Sequence, residues 1–227
     1  MKFKSAIFTQ VSGSTGGATF AHNSGGLYMR SRTIPTNPNS PQQQTVRTAM
    51  GELSNQWNDT LTQAQRDAWN LYAINVPLTD VLGGTHLTSG IAMYVRSNVP
   101  RIQAGLGTLD AAPTIFNLGA FSEPTYTVTA PSTGSLAFVG SDDWVSEDNA
   151  AMLLYASRPQ NPSIEFFKGP YRFAGLVAGE VASPPTSPES IGTPFVTVAG
   201  QKLFYRVRVS RGDGRLSADF RNVNIVV

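Results

Sequence analysis

KLFYRVRVS, residues 202–210, alternates along its whole length: Leu203, Tyr205, Val207 and Val209 fall on one side, and Lys202, Phe204, Arg206 and Arg208 on the other. A period of two, carried by β-branched and aromatic residues, marks a strand that buries one face and leaves the other mostly polar. The next stretch, SRGDGRLS at 210–217, supplies a turn before a further apolar run. Gly and Asp suit tight turns, so Arg211-Gly212-Asp213 reads as a connection between strands rather than as an integrin-type recognition tripeptide.

Working outward, PTYTVTA (124–130), SLAFVG (135–140), AAMLLYASR (150–158), IEFFKG (164–169), YRFAGLV (171–177), PFVTVA (194–199) and RNVNIVV (221–227) have the same character and are separated by Pro, Gly, Ser and Asp. Short strands at this spacing predict an antiparallel β-sandwich of immunoglobulin or fibronectin type III size over residues 107–227. The prediction rests on pattern alone, because the Cys-Trp-Cys signature of true antibody domains is missing. The aromatic residues Phe166, Phe167, Tyr171 and Phe173 are expected to serve strand packing. Between two runs, GSDDWVSEDN (140–149) gathers Asp142, Asp143, Glu147 and Asp148. Carboxylates of that density could hold calcium, but the spacing departs from the EF-hand loop, and a solvated connection is expected.

Upstream the period changes from two to that of a helix. Ser40-Pro41-Gln42-Gln43 combines a cap, a proline at the first helical position and a capping-box glutamine. Val46, Met50, Leu53 and Trp57 then trace one apolar stripe. Thr62 and Gln65 repeat the capping box ahead of Ala68, Trp69, Leu71, Tyr72 and Val76, and Thr88 is placed to cap a third segment with Ile91, Tyr94, Val95 and Val99. The spacing predicts helices over about 41–57, 63–76 and 89–104, the first two forming an αα-hairpin that needs a surface to pack on. Trp57 and Trp69 could stack sugars or anchor a partner, and at least one is expected in the helical core.

Residues 1–36 show β-type runs, FKSAIFTQV, GSTGGATFAH and NSGGLYMRSRTI, with Asn23–Gly26 as a hairpin connection. The chain therefore predicts an α+β protein, mainly β: an extended N-terminal arm or β-hairpin (1–36), a helical region (37–106) and the sandwich (107–227). Charged residues make up 14% of the 227, well under the roughly 25% typical of soluble domains. Residues 1–50 hold Lys2, Lys4, Arg30, Arg32 and Arg47 and no acid, whereas the rest has 12 basic against 15 acidic residues. A sparse basic arm beside a mildly acidic body favours contact between subunits over nucleic-acid binding. There is no cysteine, and the two histidines, His22 and His86, lie far apart, so thiol chemistry and zinc patterns are excluded. No phosphate loop, dinucleotide fingerprint or nucleophile elbow can be assembled, so no enzyme activity, metal or cofactor is assigned. The opening MKFKSAIFTQ has too short an apolar run for a signal peptide, and no stretch approaches membrane-span length, which points to assembly in a cytoplasm.

Arg30, Arg32, Pro35, Asn37, Pro38, Gln44, Arg47, Trp57, Leu61, Thr62, Gln65, Arg66 and Trp69 follow an order that resembles uncharacterised phage and prophage proteins. In these an arginine-containing strand leads to a P-x-N-P-x-S/T-x-x-Q-x-x-R element and then to W-x-x-L-T-x-x-Q-R-x-x-W, here with the Trp57 to Leu61 interval one residue longer. The resemblance covers about residues 25–76 and implies a virion context. Its implied function is a non-enzymatic structural subunit, associated with capsid or tail, that contacts itself or other virion proteins through Arg30, Arg32, Arg47, Trp57, Arg66 and Trp69. A carbohydrate- or host-receptor-binding sandwich module is the alternative.

Overall fold

The computed structural model describes residues 11–23, 26–34, 36–37, 39–79 and 84–227. The chain divides into two compact units, Met1–Ser40 and Pro41–Val227. It is a mixed α and β protein with several antiparallel sheets and three α-helices among the described residues.

In the first unit, β1 (Gly13–Thr15), β2 (Ala18–Asn23) and β3 (Gly26–Ser31) form an antiparallel meander in that order. Gly16 and Gly17 join β1 to β2 with φ of 52° and 82°. Two successive positive φ values are what a two-residue hairpin turn demands and what glycine gives without steric cost. β2 and β3 pair Asn23 with Gly26, the ends of the expected hairpin connection, whose two central residues lie outside the described ones. Most of FKSAIFTQV also lies outside them.

The second unit begins with α1 (Pro41–Asn55), which ends in a five-residue π-helical turn, Gln56–Thr60. α2 (Gln63–Asn75) follows with its capping box complete: the Gln65 N–H donates to Thr62 Oγ1 at 3.3 Å and the Thr62 N–H donates to Gln65 Oε1 at 2.8 Å. A two-residue ladder of β4 (Leu78–Thr79) and β5 (Thr85–His86) leads to α3 (Gly90–Gln103). Ser89, not the expected Thr88, caps α3 by accepting from the Ala92 N–H at 3.3 Å. The helix enters tightly against α2, and a Cβ on Gly90 would stand 2.7 Å from the backbone nitrogen of Asn70. The three helices bury Leu53, Leu61, Trp69, Tyr72, Met93 and Tyr94 in one apolar cluster. On α1 the buried positions are Ala49 and Leu53, while Met50, expected on the stripe, is half exposed. Val46 and Trp57 are half-buried, so the predicted line departs from the inward face only at Met50, where Ala49 turns inward instead.

Beyond α3 run β6 (Thr125–Thr129), β7 (Thr133–Ala137), a 3₁₀ turn at Asp143–Ser146, β8 (Ala151–Ala156), β9 (Arg172–Ala178), β10 (Glu189–Ser190), β11 (Lys202–Ser210) and β12 (Phe220–Ile225). They form two antiparallel sheets, β10–β7–β6 and β12–β11–β8–β9. Tyr126, Val128 and Leu136 from the first share an apolar cluster with Met152, Leu154, Tyr205 and Val207 from the second. The Tyr126 and Tyr205 rings meet edge-on at 5.7 Å, and the Tyr126 hydroxyl donates to Ile191 O at 2.9 Å. IEFFKG and PFVTVA, expected as strands, are irregular. Phe166, Val196 and Val198 are largely exposed, and with prolines at 162, 170 and 194 these runs reach no sheet partner. In this region the pattern missed β10, which has only two residues and pairs with β7.

β8 is buried at all six positions. One face joins the cluster between the sheets; on the other, Ala151, Leu153 and Tyr155 pack with Ala104 and Leu106 beyond α3. The helices and the four-stranded sheet are locked by two arginines of α3. The Arg101 guanidinium, 2% exposed, donates to Gly107 O (2.8 Å), Asn149 O (3.0 Å) and Ser210 Oγ (3.1 Å). Arg96 donates to Leu216 O (2.8 Å) and Ser217 O (3.0 Å). Burial lowers the Arg101 pKa, and burial with the nearby Arg208 charge brings Arg96 down to about 10, which leaves Arg96 charged at neutral pH. Arg101→Met keeps the bulk and removes the donors; loss of several buried bonds to carbonyls is expected to lower unfolding free energy by about 2–4 kcal/mol, read as a lower urea midpoint.

Candidate functional site

The six residues picked out in the sequence fall in different surroundings. Arg30, on β3, and Arg32 belong to the first unit; both are exposed, and the Arg32 N–H donates to Gly17 O at 2.7 Å. Arg47 is exposed on α1 of the second unit. The remaining three meet in the helical hairpin. Trp69 is fully buried, donates from Nε1 to Asp110 O at 2.9 Å, and lies 5.5 Å from the Tyr94 ring. Trp57 is half-buried, and its ring lies 5.8 Å from that of the same tyrosine. Arg66 donates to Trp57 O (3.1 Å) and Asn58 O (3.3 Å), satisfying carbonyls where the first helix ends. Trp57, Arg66 and Trp69 thus hold the hairpin together.

The acidic loop disperses its carboxylates. Asp142 accepts from the Ser122 backbone and hydroxyl at 2.9 and 2.8 Å. Glu147 pairs with Arg211 and accepts from the Gly212 N–H at 2.8 Å, Asp148 accepts from the Val181 N–H at 2.9 Å, and Asp143 is exposed. Among the described residues no group of three or more His, Cys, Asp or Glu side chains converges as a metal site. The Arg-Gly-Asp tripeptide is engaged within the chain: Arg211 is buried against Glu147, and Asp213 accepts from Arg215 Nε at 2.7 Å. Gly214, at φ 97°, closes that turn.

The charged chemistry gathers instead on the outer face of the four-stranded sheet. On β11, Arg206 and Arg208 flank Asp219, which also accepts from Arg221 at 2.9 Å. Arg206 lies over the Tyr155 ring at 4.4 Å and the Tyr171 ring at 5.5 Å, two cation–π contacts. Two clefts open beside this network. One, of about 420 Å³, is lined by Arg47, Arg172, Arg206, Tyr155, Tyr171 and Gln103 among others. The second, of about 730 Å³, has Arg96, Arg208, Arg221, His86 and Asp219 in its wall. A third, smaller hollow of about 230 Å³ is aromatic: Phe166, Phe167, Tyr171 and Phe204 line it with Glu165, Arg221 and Asn222 at its rim. Phe167 stacks on Phe204 at 5.6 Å and meets Tyr171 edge-on at 5.3 Å.

Sequence reasoning passed over Arg172 and Tyr155, and gave Tyr171 to strand packing and Arg206 to a polar strand face. The alternation of 202–210 marked the arginines as a polar face; the missing information was that helices and the 157–171 loop wall it in. Comparison with known protein families, with curated proteins and with solved structures finds no match.

Burial by itself would raise the Asp219 carboxyl, but the hydrogen bond and charge of Arg208, with Arg221 and Arg206, outweigh it and hold the group below the ordinary carboxylate range. A folded-state pKa below the unfolded value gives stability that is present above about pH 4 and is lost as pH falls through the folded pKa. Asp219→Asn should therefore lower stability at neutral pH by about 2–3 kcal/mol, since it leaves part-buried guanidiniums unpaired. It should also flatten the acid side of the stability profile, measured by urea unfolding from neutral pH downward.

Proposed function

We propose that this chain is a phage virion structural subunit, associated with capsid or tail and without catalytic activity, that assembles through its N-terminal arm and helical hairpin. The arm carries the reading. It forms a three-stranded sheet, and the residues of 11–40 whose burial is described are exposed or half-buried. A small sheet with so little burial recovers too little to offset the entropy of ordering it, and a neighbouring subunit supplies the cover. The hairpin adds apolar surface of its own, with Leu71 and Ile74 exposed three positions apart on α2 and Met50 exposed on α1. Arg30, Arg32 and Arg47 are the exposed members of the candidate contact set, while Trp57, Arg66 and Trp69 shape the hairpin that presents the surface.

The sheets support the finer fold reading as well. Seven antiparallel strands ordered β10–β7–β6 and β12–β11–β8–β9, with a shared apolar cluster, fit a fibronectin type III-like sandwich. No described helix is long and apolar enough to cross a membrane. The virion is the location this reading implies.

One observation favours the second reading, a carbohydrate- or receptor-binding module. Phe166 is 76% exposed at the lip of the aromatic hollow, beside Glu165, Arg221 and Asn222. Aromatic faces stack on the C–H face of a sugar while charged and amide groups reach its hydroxyls.

Removing residues 1–40 is expected to leave a folded, monomeric second unit, with oligomers of the full chain lost by light scattering after gel filtration. A full chain that stays monomeric at high concentration and never co-sediments with particles would defeat the assembly reading. For the second reading, a glycan-array signal should fall roughly tenfold in Phe166→Ala, the scale of one stacking contact, with melting temperature unchanged. Silence of the full chain on the array removes it.

A further inference from the structure

The outward surface of the hairpin changes chemistry along α2. Asp67, Leu71 and Ile74 recur at intervals of four and three, so they share one exposed face, a carboxylate followed by two aliphatic side chains. Next to Ile74, Asn75 stands at the mouth of a hollow of about 620 Å³ lined by Val76, Pro77, Phe116, Leu118 and Phe121 among others, and no charged residue takes part in its wall. Hydrogen bonds set that wall in place: the Tyr72 hydroxyl of α2 donates to Asn117 O at 2.8 Å, and Arg215 donates to Asn117 Oδ1 at 2.8 Å. Ile115 and Phe116 are still about half exposed, so apolar surface is presented in a formed wall instead of being closed over.

The first unit carries the complementary chemistry in its last residues. Arg30 and Arg32 are exposed, and Ile34, at 85%, is the most exposed large apolar side chain among the described residues. None of the ion pairs among the described residues includes Arg30, Arg32 or Asp67. The spacings match as well. An extended chain covers about 13 Å from residue 30 to residue 34, at roughly 3.3 Å per residue. An α-helix rises about 12 Å from Asp67 to Asn75, at roughly 1.5 Å per residue.

We propose that residues 30–34 of one copy dock on the α2 face and hollow of the next, with Ile34 entering the apolar hollow and the arginines reaching Asp67. The proposal rests on the assembly reading and names the acceptor surface for its arm. Arm and hollow are different patches, so the contact is head-to-tail. Each copy offers one arm and one hollow, and copies add in a row until they close a ring or grow as a filament.

The test uses full-length chains in sedimentation velocity over a range of concentrations, with circular dichroism as the check on folding. The unaltered chain is expected to associate. Ile34→Asp and Phe116→Asp should each weaken association tenfold or more, because each puts a charge into the apolar contact, and Leu71→Asp is a second variant of the acceptor at an exposed position. Val196→Asp, at a valine of the second unit that is 77% exposed and outside the lining of the hollow, should leave association unchanged. The deciding sample is an equimolar mixture of Ile34→Asp and Phe116→Asp: the intact arm of the second meets the intact hollow of the first, so the mixture should form a one-to-one pair and stop there. Association that survives both Phe116→Asp and Leu71→Asp, or a mixture that stays monomeric, overturns the proposal and leaves the assembly reading standing. An unaltered chain that is monomeric throughout overturns both.

Discussion

The Arg101 guanidinium, buried at the end of α3 and bonded to the main-chain carbonyls of Gly107, Asn149 and Arg211 and to the Ser210 hydroxyl, is the constraint on which the second unit turns. A buried cation is costly unless every donor finds an acceptor, so the carbonyls of Gly107 and Asn149 must converge on one point. Those residues come from the chain leaving α3 and the approach to β8, and Ser210 ends β11. Fixing one side chain therefore sets the helix, the chain leaving it and two central strands together. The position also suits the helix, whose last turn carries a partial negative charge that a cation complements.

That lock makes the outer face of the four-stranded sheet an interior surface with an unusual lining. Strands buried on both faces are normally apolar throughout, as β8 is. β11 instead carries Arg206 and Arg208 on the same outer side, and a single aspartate from the chain before β12 answers most of their charge. The balance is uneven, three arginines against one aspartate in this network, while the whole chain carries a formal charge of only +2.

Periodicity carried the regular elements. Residues 202–210 alternate as written and form the longest strand, and the Thr62–Gln65 capping box begins α2 where its chemistry requires. What pattern could not carry was context. IEFFKG has strand composition but no neighbour to pair with; β10 has a neighbour and no pattern. Leu53 is buried as its place on the stripe required, yet packing buried Ala49 and left Met50 half exposed. The tryptophans were legible as core, whereas the tyrosine-clamped arginine was not, because its partners come from segments 35 to 51 residues away. Long-range neighbours decide such sites, and a local window holds no trace of them.

The apolar strand β8 has a consequence for how the molecule is made. A six-residue run of Ala, Met, Leu, Leu, Tyr and Ala with no charge and high β-propensity is the kind of segment that aggregates when it is left uncovered. α3 and the residues that cap its outer face precede it in the chain, and synthesis runs from the N-terminus. When β8 leaves the ribosome, elements of both its covering layers, α3 on one side and β6 and β7 on the other, have already been made, and its in-sheet neighbours β9 and β11 remain to be supplied.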